Sequence, residues 1–518
     1  MVTARPVTPT TTPPATCGRW SRRDLLLAAL LALLTALSRL PFRTTMLYAW
    51  DSGLFAQALR DYNVVVHHPQ PPGYVFYVGT AKLLQALTGL GANDTYVAIS
   101  IAAASLTAAA LYLLGAAMFD RPTGALAALL ALTSVSFWLF SELAYPYTVL
   151  ALGSTMIALL AWRLLQRQLA WPPLAALAFG LIAGFRQDLL LFLGPLFAVC
   201  YLLTLDWRTR RGWALLGLGL LAGAVGVATW WIGTDLASEG WGSLWRALTI
   251  QSVNVERGTS AFATGDTGLR ANATLLRWFS KDALHLAVFP ALAYGGFWLT
   301  QPRREGRRAP FLLLWMTPAI LFYLLVHIGE EGYVFSFLPA VLLAAAAGLT
   351  RAASAVAENA LRARSALVVR TTALVALAAL ILPYHAWLFL GSGRLLSAER
   401  LACKDAAIAR AISDIAAEYP PATTQLVTSA YLQHQRVYLP QYTRVQFLDP
   451  DYDATWTPPP GVQQVVVFDL ELVQRFDRPR DWRLEPLACG GRYNLASVPA
   501  SGQLFTWDAR QVRLEVSP

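Results

Sequence analysis

The chain has 518 residues, of which 56% are hydrophobic and only 14% charged, where a soluble domain carries roughly 25% charge. Long uncharged apolar runs recur from Leu25 to about Leu390, which excludes an ordinary soluble globule and indicates a polytopic helical membrane protein. The formal charge of +10 does not indicate a nucleic-acid partner, because the arginines cluster beside apolar segments, as topology signals do.

In chain order, residues 1–24 are rich in Thr and Pro and carry Arg5, Arg19, Arg22 and Arg23, a composition that cannot pack a core. They read as a disordered cytoplasmic tail. The apolar run that follows lacks a small-residue cleavage site, so it reads as a retained anchor, not a signal peptide. Residues 25–390 then form a transmembrane domain with eleven expected spans, at 25–42, 95–118, 123–140, 146–164, 171–186, 188–205, 213–233, 283–300, 310–327, 333–350 and 371–389. The span at 171–186 is short, bounded by Pro172 and Arg186. Basic clusters at "WRTRRGW" (207–213) and "RREGRR" (303–308) place those loops, and the N-terminus, in the cytoplasm. The chain is thus expected in the plasma membrane as a multi-pass protein.

This topology puts 43–94 and 234–282 outside. Within the first loop, "PPGYVFYVGTAKLLQALTGL" (71–90) resembles a span, but it is short and carries Lys82, with Gln85 and Thr88 on the same side. It reads as an amphipathic helix at the membrane surface, packed on the bundle. The loop 234–282 has a helical, Trp-bearing start and a Gly/Thr-rich middle, and is expected to be a partly ordered lid. After Leu390 helical and alternating patterns mix. "CKDAAIARAISDIAAEY" (403–419) is helix-like, whereas "TQLVTSA", "RVQFLD", "VQQVVVFDL" and "LFTWD" read as short strands. Residues 391–518 are therefore expected to form a small α/β or α+β extracytoplasmic domain. Of four cysteines, Cys17 lies in the tail and Cys200 in a span. Cys403 and Cys489 share the outer domain, where disulfides persist, and are expected to pair.

The external side also gathers the ionisable residues. Asp51 follows the first span, in "YAWDSGLFAQALRDY"; it reads either as the N-cap of the next helix or as a functional acid. His67 and His68 precede Pro69, Pro71 and Pro72. Adjacent side chains on an extended segment point opposite ways, so at most one faces a shared site. Binding a phosphate, ligating a metal, shuttling a proton or a plain backbone hydrogen bond are all open to them. Glu142, in "SELAYPY", shares its loop with Tyr145; an interface anchor or a second acid facing Asp51 are the two readings. Arg186 and Asp188, in "FRQD", either pair with each other or present a phosphate clamp. "HIGEEGY" adds His327, Glu330, Glu331 and Tyr333. Four successive loops thus carry ionisable groups on one face of the membrane, the usual mark of function.

The combination of Asp51 after the first span, "HHPQPPGY" (67–74), residues 111–147 and "HIGEEGYVFSFLPAVLLAAAAGL" (327–349) resembles the GT-C-fold membrane glycosyltransferases. That superfamily holds the protein O-mannosyltransferases, the lipid A aminoarabinose transferases and the oligosaccharyltransferases. "DSG…HPQPPGY" is similar to a bacterial mannosyltransferase-like branch. The resemblance covers roughly residues 20–350 and leaves the outer domain out. It implies an all-α GT-C-like bundle and transfer of a hexose or pentose from a polyprenyl-phosphate donor to a lipid, glycan or protein acceptor at the outer face, among membrane lipids. It assigns Asp51 as general base and Glu142 as its partner acid, the pair that would also hold a divalent metal. Many members carry a second first-loop acid where Ser52 stands. His67, His68, Arg186, His327, Tyr145 and Glu331 are the candidates for the donor phosphate and substrate. A single displacement with inversion needs no second nucleophile. Two other classes compete. A transporter or flippase calls for internal repeats and charges at mid-membrane; a non-catalytic protein would use the outer domain to bind a partner.

Overall fold

The computed structural model describes residues 20–358, 363–472, 483–489, 492–500 and 503–517. The expected tail through residue 19, with Cys17, lies outside them. Residues 20–24 already belong to the bundle. Ser21 caps helix α1 (Arg22–Arg39) in a reciprocal box with Asp24, and Arg121 and Tyr112 both donate to the Asp24 carboxylate. An acid in the first helical turn satisfies free backbone N–H groups and favours the start of a helix.

After α1 the loop that leads to α4 holds two helices, α2 (Trp50–Ala58) and α3 (Val75–Thr88). The second is the expected surface helix, ended by Gly89 in the left-handed region, with Leu83 and Leu87 exposed. The bundle continues through α4 (Ala92–Met118), α5 (Arg121–Thr133), α6 (Val135–Phe140), α7 (Tyr147–Leu165), α8 (Pro172–Ile182), α9 (Asp188–Leu202) and α10 (Arg210–Ala237). Next come α11 (Ser243–Thr259), α12 (Ala261–Thr264), α13 (Asp266–Leu284), α14 (Val288–Thr300), α15 (Pro302–Glu305), α16 (Arg308–Leu325), α17 (Leu338–Glu358) and α18 (Ala363–Leu390).

Eight helical segments among the described residues are long and apolar enough to cross a membrane: α1, α4, α7, α10, α13 with α14, α16, α17 and α18. The other three expected spans are helical but short. The stretch 123–140 breaks at Ser134 into α5 and α6, where the Ser134 hydroxyl donates to the Ala283 carbonyl. Helix α8, with 11 residues, is only about 16 Å long, roughly half the hydrocarbon thickness. It lies tightly on α10: a Cβ built on Gly180 or on Gly226 would stand 3.0 Å from the other glycine's Cα, the small-residue contact that lets membrane helices approach closely. The hairpin of α8 and α9 therefore carries Arg186 at its turn.

The expected lid at 234–282 is instead almost wholly helical, as the end of α10, α11, α12 and α13. Its Gly/Thr-rich middle marks helix boundaries. Ser260 caps α12, and Gly265, at φ 62°, turns the chain into α13. That helix runs on through a short turn into the membrane helix α14, so the expected span at 283–300 begins well outside its apolar core.

Beyond α18, helix α19 (Ala398–Glu418) packs on a mixed sheet. Its strands are β1 (Thr424–Thr428), β2 (Val445–Phe447), β4 (Gln464–Val467), β5 (Arg483–Ala488) and β6 (Tyr493–Pro499), in the order β2-β1-β4-β6-β5. The β1 pairings are parallel, those of β6 antiparallel. Helix α20 (Leu432–Tyr438) follows β1. Strands β3 (Ala454–Trp456), β7 (Leu504–Asp508) and β8 (Arg513–Ser517) form a second, antiparallel sheet. Apolar residues of both faces of β1, β4 and β6 are buried, between α19 on one side and the second sheet on the other.

Cys403 of α19 and Cys489, just after β5, are bonded across 86 residues of chain, with Cα atoms 5.9 Å apart. Such a link restricts the unfolded chain and contributes about 2–5 kcal/mol in small domains. Alkylation should therefore label both cysteines only after reduction, and reduction should lower the melting temperature of the outer domain. Labelling of both without reductant would rule the bond out.

Candidate active site

Arg186 is a buried cation, 3% exposed at the turn between α8 and α9. Its Nη2 donates to Asp188 Oδ2 at 2.7 Å. The rings of Tyr74, Tyr147 and Tyr333 stand 5.3, 5.1 and 5.8 Å from the guanidinium carbon. These rings come from the first external loop, the start of α7 and the turn before α17. A buried charge is costly unless paired, and aromatic faces add to what one carboxylate supplies. Tyr333 is fixed in turn: its carbonyl accepts from the Tyr323 hydroxyl at 2.9 Å, and the two rings stack. A cavity of about 210 Å³ opens beside the guanidinium, lined by Pro71, Pro72, Tyr74, Asp188, Gln251 of α11 and His327 among others.

Asp51 does not cap α2. Ala49 is the N-cap, and Asp51 sits in the first turn, where the helix dipole favours a negative charge. The carboxylate is half-buried. Among the described residues it accepts no hydrogen bond. Burial pushes it up to about 6, while Arg186 pulls the other way. Two further acids stand close by, on the loop between α16 and α17. Loss of hydration and the proximity of Asp51 raise Glu330 to about 7, against Lys404 of the outer domain, which lowers it. Burial, then Asp282 and Glu330, raise Glu331 to about 7.

The remaining expected residues divide. His327 lines the Arg186 cavity, with Nδ1 2.9 Å from the Thr259 hydroxyl, and burial lowers its pKa. Tyr145 is buried against Phe140 and Tyr147. Glu142 does not face Asp51. It is fully buried, its two oxygens have no hydrogen-bond partner, and the charge it feels is that of Arg39. Burial raises its carboxyl. Arg39, also buried, lies 4.7 Å over Trp138 and donates to the Leu132 carbonyl. The backbone carbonyl of Glu142 accepts from both the N–H and the hydroxyl of Thr44. Neither histidine reaches Arg186. His67 is exposed, in the left-handed region at φ 61°, and His68 lies 3.6 Å from Asp61 and exchanges backbone hydrogen bonds with Asn63. Their place at the cavity is taken by Pro71, Pro72 and Tyr74 downstream, because the chain turns sharply at Gly73, φ 98°.

Sequence reading missed Tyr74 and Lys404. The first carried a signal, as the aromatic that ends "PPGY"; the second had none, since it lies on a different domain. With Glu142 turned to Arg39, the residues present do not fit the expected metal pair. Among the described residues no three His, Cys, Asp or Glu side chains group closely enough to hold a metal ion.

No protein-family model matches the chain, and no curated protein matches it either. Solved structures do match. ArnT from Cupriavidus metallidurans in the apo state aligns with a TM-score of 0.54 at 14% identity, over 91% of this chain and 97% of that one. The same protein bound to undecaprenyl phosphate aligns with a TM-score of 0.52 at 16% identity, over 93% of this chain and 99% of that one. The likeness spans the outer domain as well as the bundle. The chain has the GT-C fold, as the sequence led us to expect.

Asp51 supplies a check on the site that needs no substrate. Its pKa in the fold lies above its ordinary value, so the fold favours the neutral acid. That stabilisation is present below the ordinary carboxylate range and is lost as pH rises through about 6. Asp51→Asn should therefore melt several degrees above the parent protein at pH 7.5 and together with it near pH 4. Equal melting at both pH values would show that Asp51 is freely hydrated.

Proposed function

We propose that the protein is a membrane glycosyltransferase that moves a sugar from a polyprenyl-phosphate donor to a hydroxyl acceptor at the outer face. One observation carries this reading: a carboxylate without a hydrogen-bond partner among the described residues, Asp51, feels the charge of a buried arginine, Arg186, and a cavity opens beside that arginine at the end of a membrane bundle. The GT-C fold, and the undecaprenyl phosphate bound by ArnT on that fold, support it.

In this mechanism the acceptor hydroxyl attacks the anomeric carbon on the face opposite the phosphate. The bond from that carbon to the acceptor oxygen forms as the bond to the phosphate oxygen breaks, so configuration inverts. Asp51 takes the hydroxyl proton; a carboxylate near 6 is mostly ionised at neutral pH yet more basic than an exposed one. The electron pair of the broken bond stays on the leaving polyprenyl phosphate, whose charge Arg186 stabilises. Asp188 holds the guanidinium plane, and the three tyrosine rings keep water off its faces. Such a preorganised donor strengthens toward the charge that develops in the transition state. The isoprenoid has a route as well. An apolar groove of about 490 Å³ runs between α3, α4 and α7 and ends at Phe185, next to Arg186. The basic loops at 207–213 and 303–308, read as cytoplasmic, support an outer location for this end of the bundle.

In proteoliposomes with labelled undecaprenyl-phosphate sugars, the parent protein should label an acceptor from envelope extracts. Asp51→Asn should lower the rate by about 10²–10⁴, the usual worth of a general base. Arg186→Lys keeps the charge but loses the fork that meets both Asp188 and a phosphate, so it should mainly raise the donor KM. Full activity in Asp51→Asn would remove the assigned base. Lipid scrambling without sugar transfer would favour a flippase.

A further inference from the structure

The segment that carries Asp51 is held from two sides. Its start belongs to the bundle: the Glu142 carbonyl binds Thr44, and Asn93 Nδ2 donates to the Thr44 carbonyl at 2.8 Å. Leu47, Tyr48 and Ala49 pack their side chains on the bundle, but the hydrogen-bond partners of Thr45, Met46 and Leu47 come from the outer domain. Both oxygens of Asp405 accept from the Thr45 N–H, at 3.0 and 3.1 Å, one takes the Met46 N–H at 2.8 Å, and the other the Thr45 hydroxyl at 2.7 Å. The Leu47 N–H donates to the Tyr438 hydroxyl at 2.9 Å. Its carbonyl lies 2.8 Å from His434 Nε2. Burial lowers His434 to about 4, so the ring is neutral, and a carbonyl partner requires the proton on Nε2. Finally, Gly53, two residues after Asp51, lies flat against α20: a Cβ there would fall 2.4 Å from Gln433 Cβ.

From this geometry we infer that the outer domain positions the catalytic helix, with Asp405 and the α20 face as the positioning residues of Asp51. The first external loop has few regular contacts of its own between Thr44 and α2. A charged acceptor of several backbone N–H groups is among the stronger local restraints a protein offers. The bond from Cys403 to Cys489 immediately precedes Lys404 and Asp405, so it fixes the turn of α19 that makes this grip. Rate depends steeply on such placement, since a general base must meet the proton within hydrogen-bond reach. The outer domain is thus part of the catalytic unit and not only a place where an acceptor docks.

The inference rests on Asp51 being the base, but its physical core is testable without activity. Hydrogen exchange of the full-length protein in detergent reads the restraint directly. In Asp405→Ala, amides in 45–50 should exchange at least tenfold faster, with the sheet of the outer domain unchanged. Asp405→Asn, which keeps one acceptor oxygen, should fall between. In transfer assays the same series should lose kcat at least tenfold in Asp405→Ala with donor KM within about twofold, and Asn should partly restore it. Should Asp405→Ala unfold, Gly53→Ala serves instead. It favours a helix by propensity, yet wedges α2 off α20, so kcat should drop at least fivefold while exchange in the sheet of the outer domain stays as in the parent. Parent-like exchange in 45–50 overturns the grip. Faster exchange with parent-like kcat overturns its catalytic role. Faster exchange in a protein whose unmutated form transfers no sugar keeps the grip and sinks the glycosyltransferase reading.

Discussion

This end of the bundle is organised by the need to keep one guanidinium charged inside it. Arg186 is almost fully withdrawn from solvent at its turn, so its stabilisation is built from protein: Asp188 two residues on, and three tyrosine rings drawn from separate segments. Those segments are the end of the proline-rich turn, the first residue of α7 and the loop before α17. Satisfying one charge therefore fixes how three connections of the bundle meet. The same arrangement leaves one side of the guanidinium facing a cavity, where an anion has a partner waiting and little competing water.

Around that cation the acids are graded by their surroundings. Asp188 is paired, so it serves as a structural counter-ion. Asp51 is unpaired and partly dehydrated, which leaves it free to take a proton. Glu142, although an acid on a neighbouring loop, is buried near Arg39, which lies over the Trp138 ring, and its backbone carbonyl holds Thr44. Three carboxylates of similar sequence context thus have three environments. The difference lies in hydration and partner, not in position along the chain.

The two domains also share work that a division at Leu390 obscures. The bundle supplies apolar depth and the buried arginine. The outer domain supplies side-chain hydrogen-bond partners and a flat helix face for the segment between them. Short helices are where this coupling is made. α8 stops at Ile182, too short to cross, and the turn after it carries Arg186; α2 presents Asp51 in its first turn, and α20 leaves room only for glycine at position 53.

The sequence determined the membrane class, the positions of the helices, the surface helix of the first loop and the mixed strand-bearing outer domain. Hydropathy and periodicity are local properties, and a residue's neighbours in the chain suffice to set them. It also marked Asp51, Arg186 and the tyrosine-bearing turns, because ionisable groups stand out beside apolar runs. Tertiary structure decided the rest. Only it turned the expected lid into helices, since a Gly/Thr-rich stretch reads as loop until Ser260 and Gly265 are seen to end one helix and begin the next. Only it turned Glu142 to Arg39, 103 residues away, and set Asp405 on Thr45 across 360 residues. A carboxylate's role follows from its dehydration and its partner, and both are brought by chain that is distant in sequence.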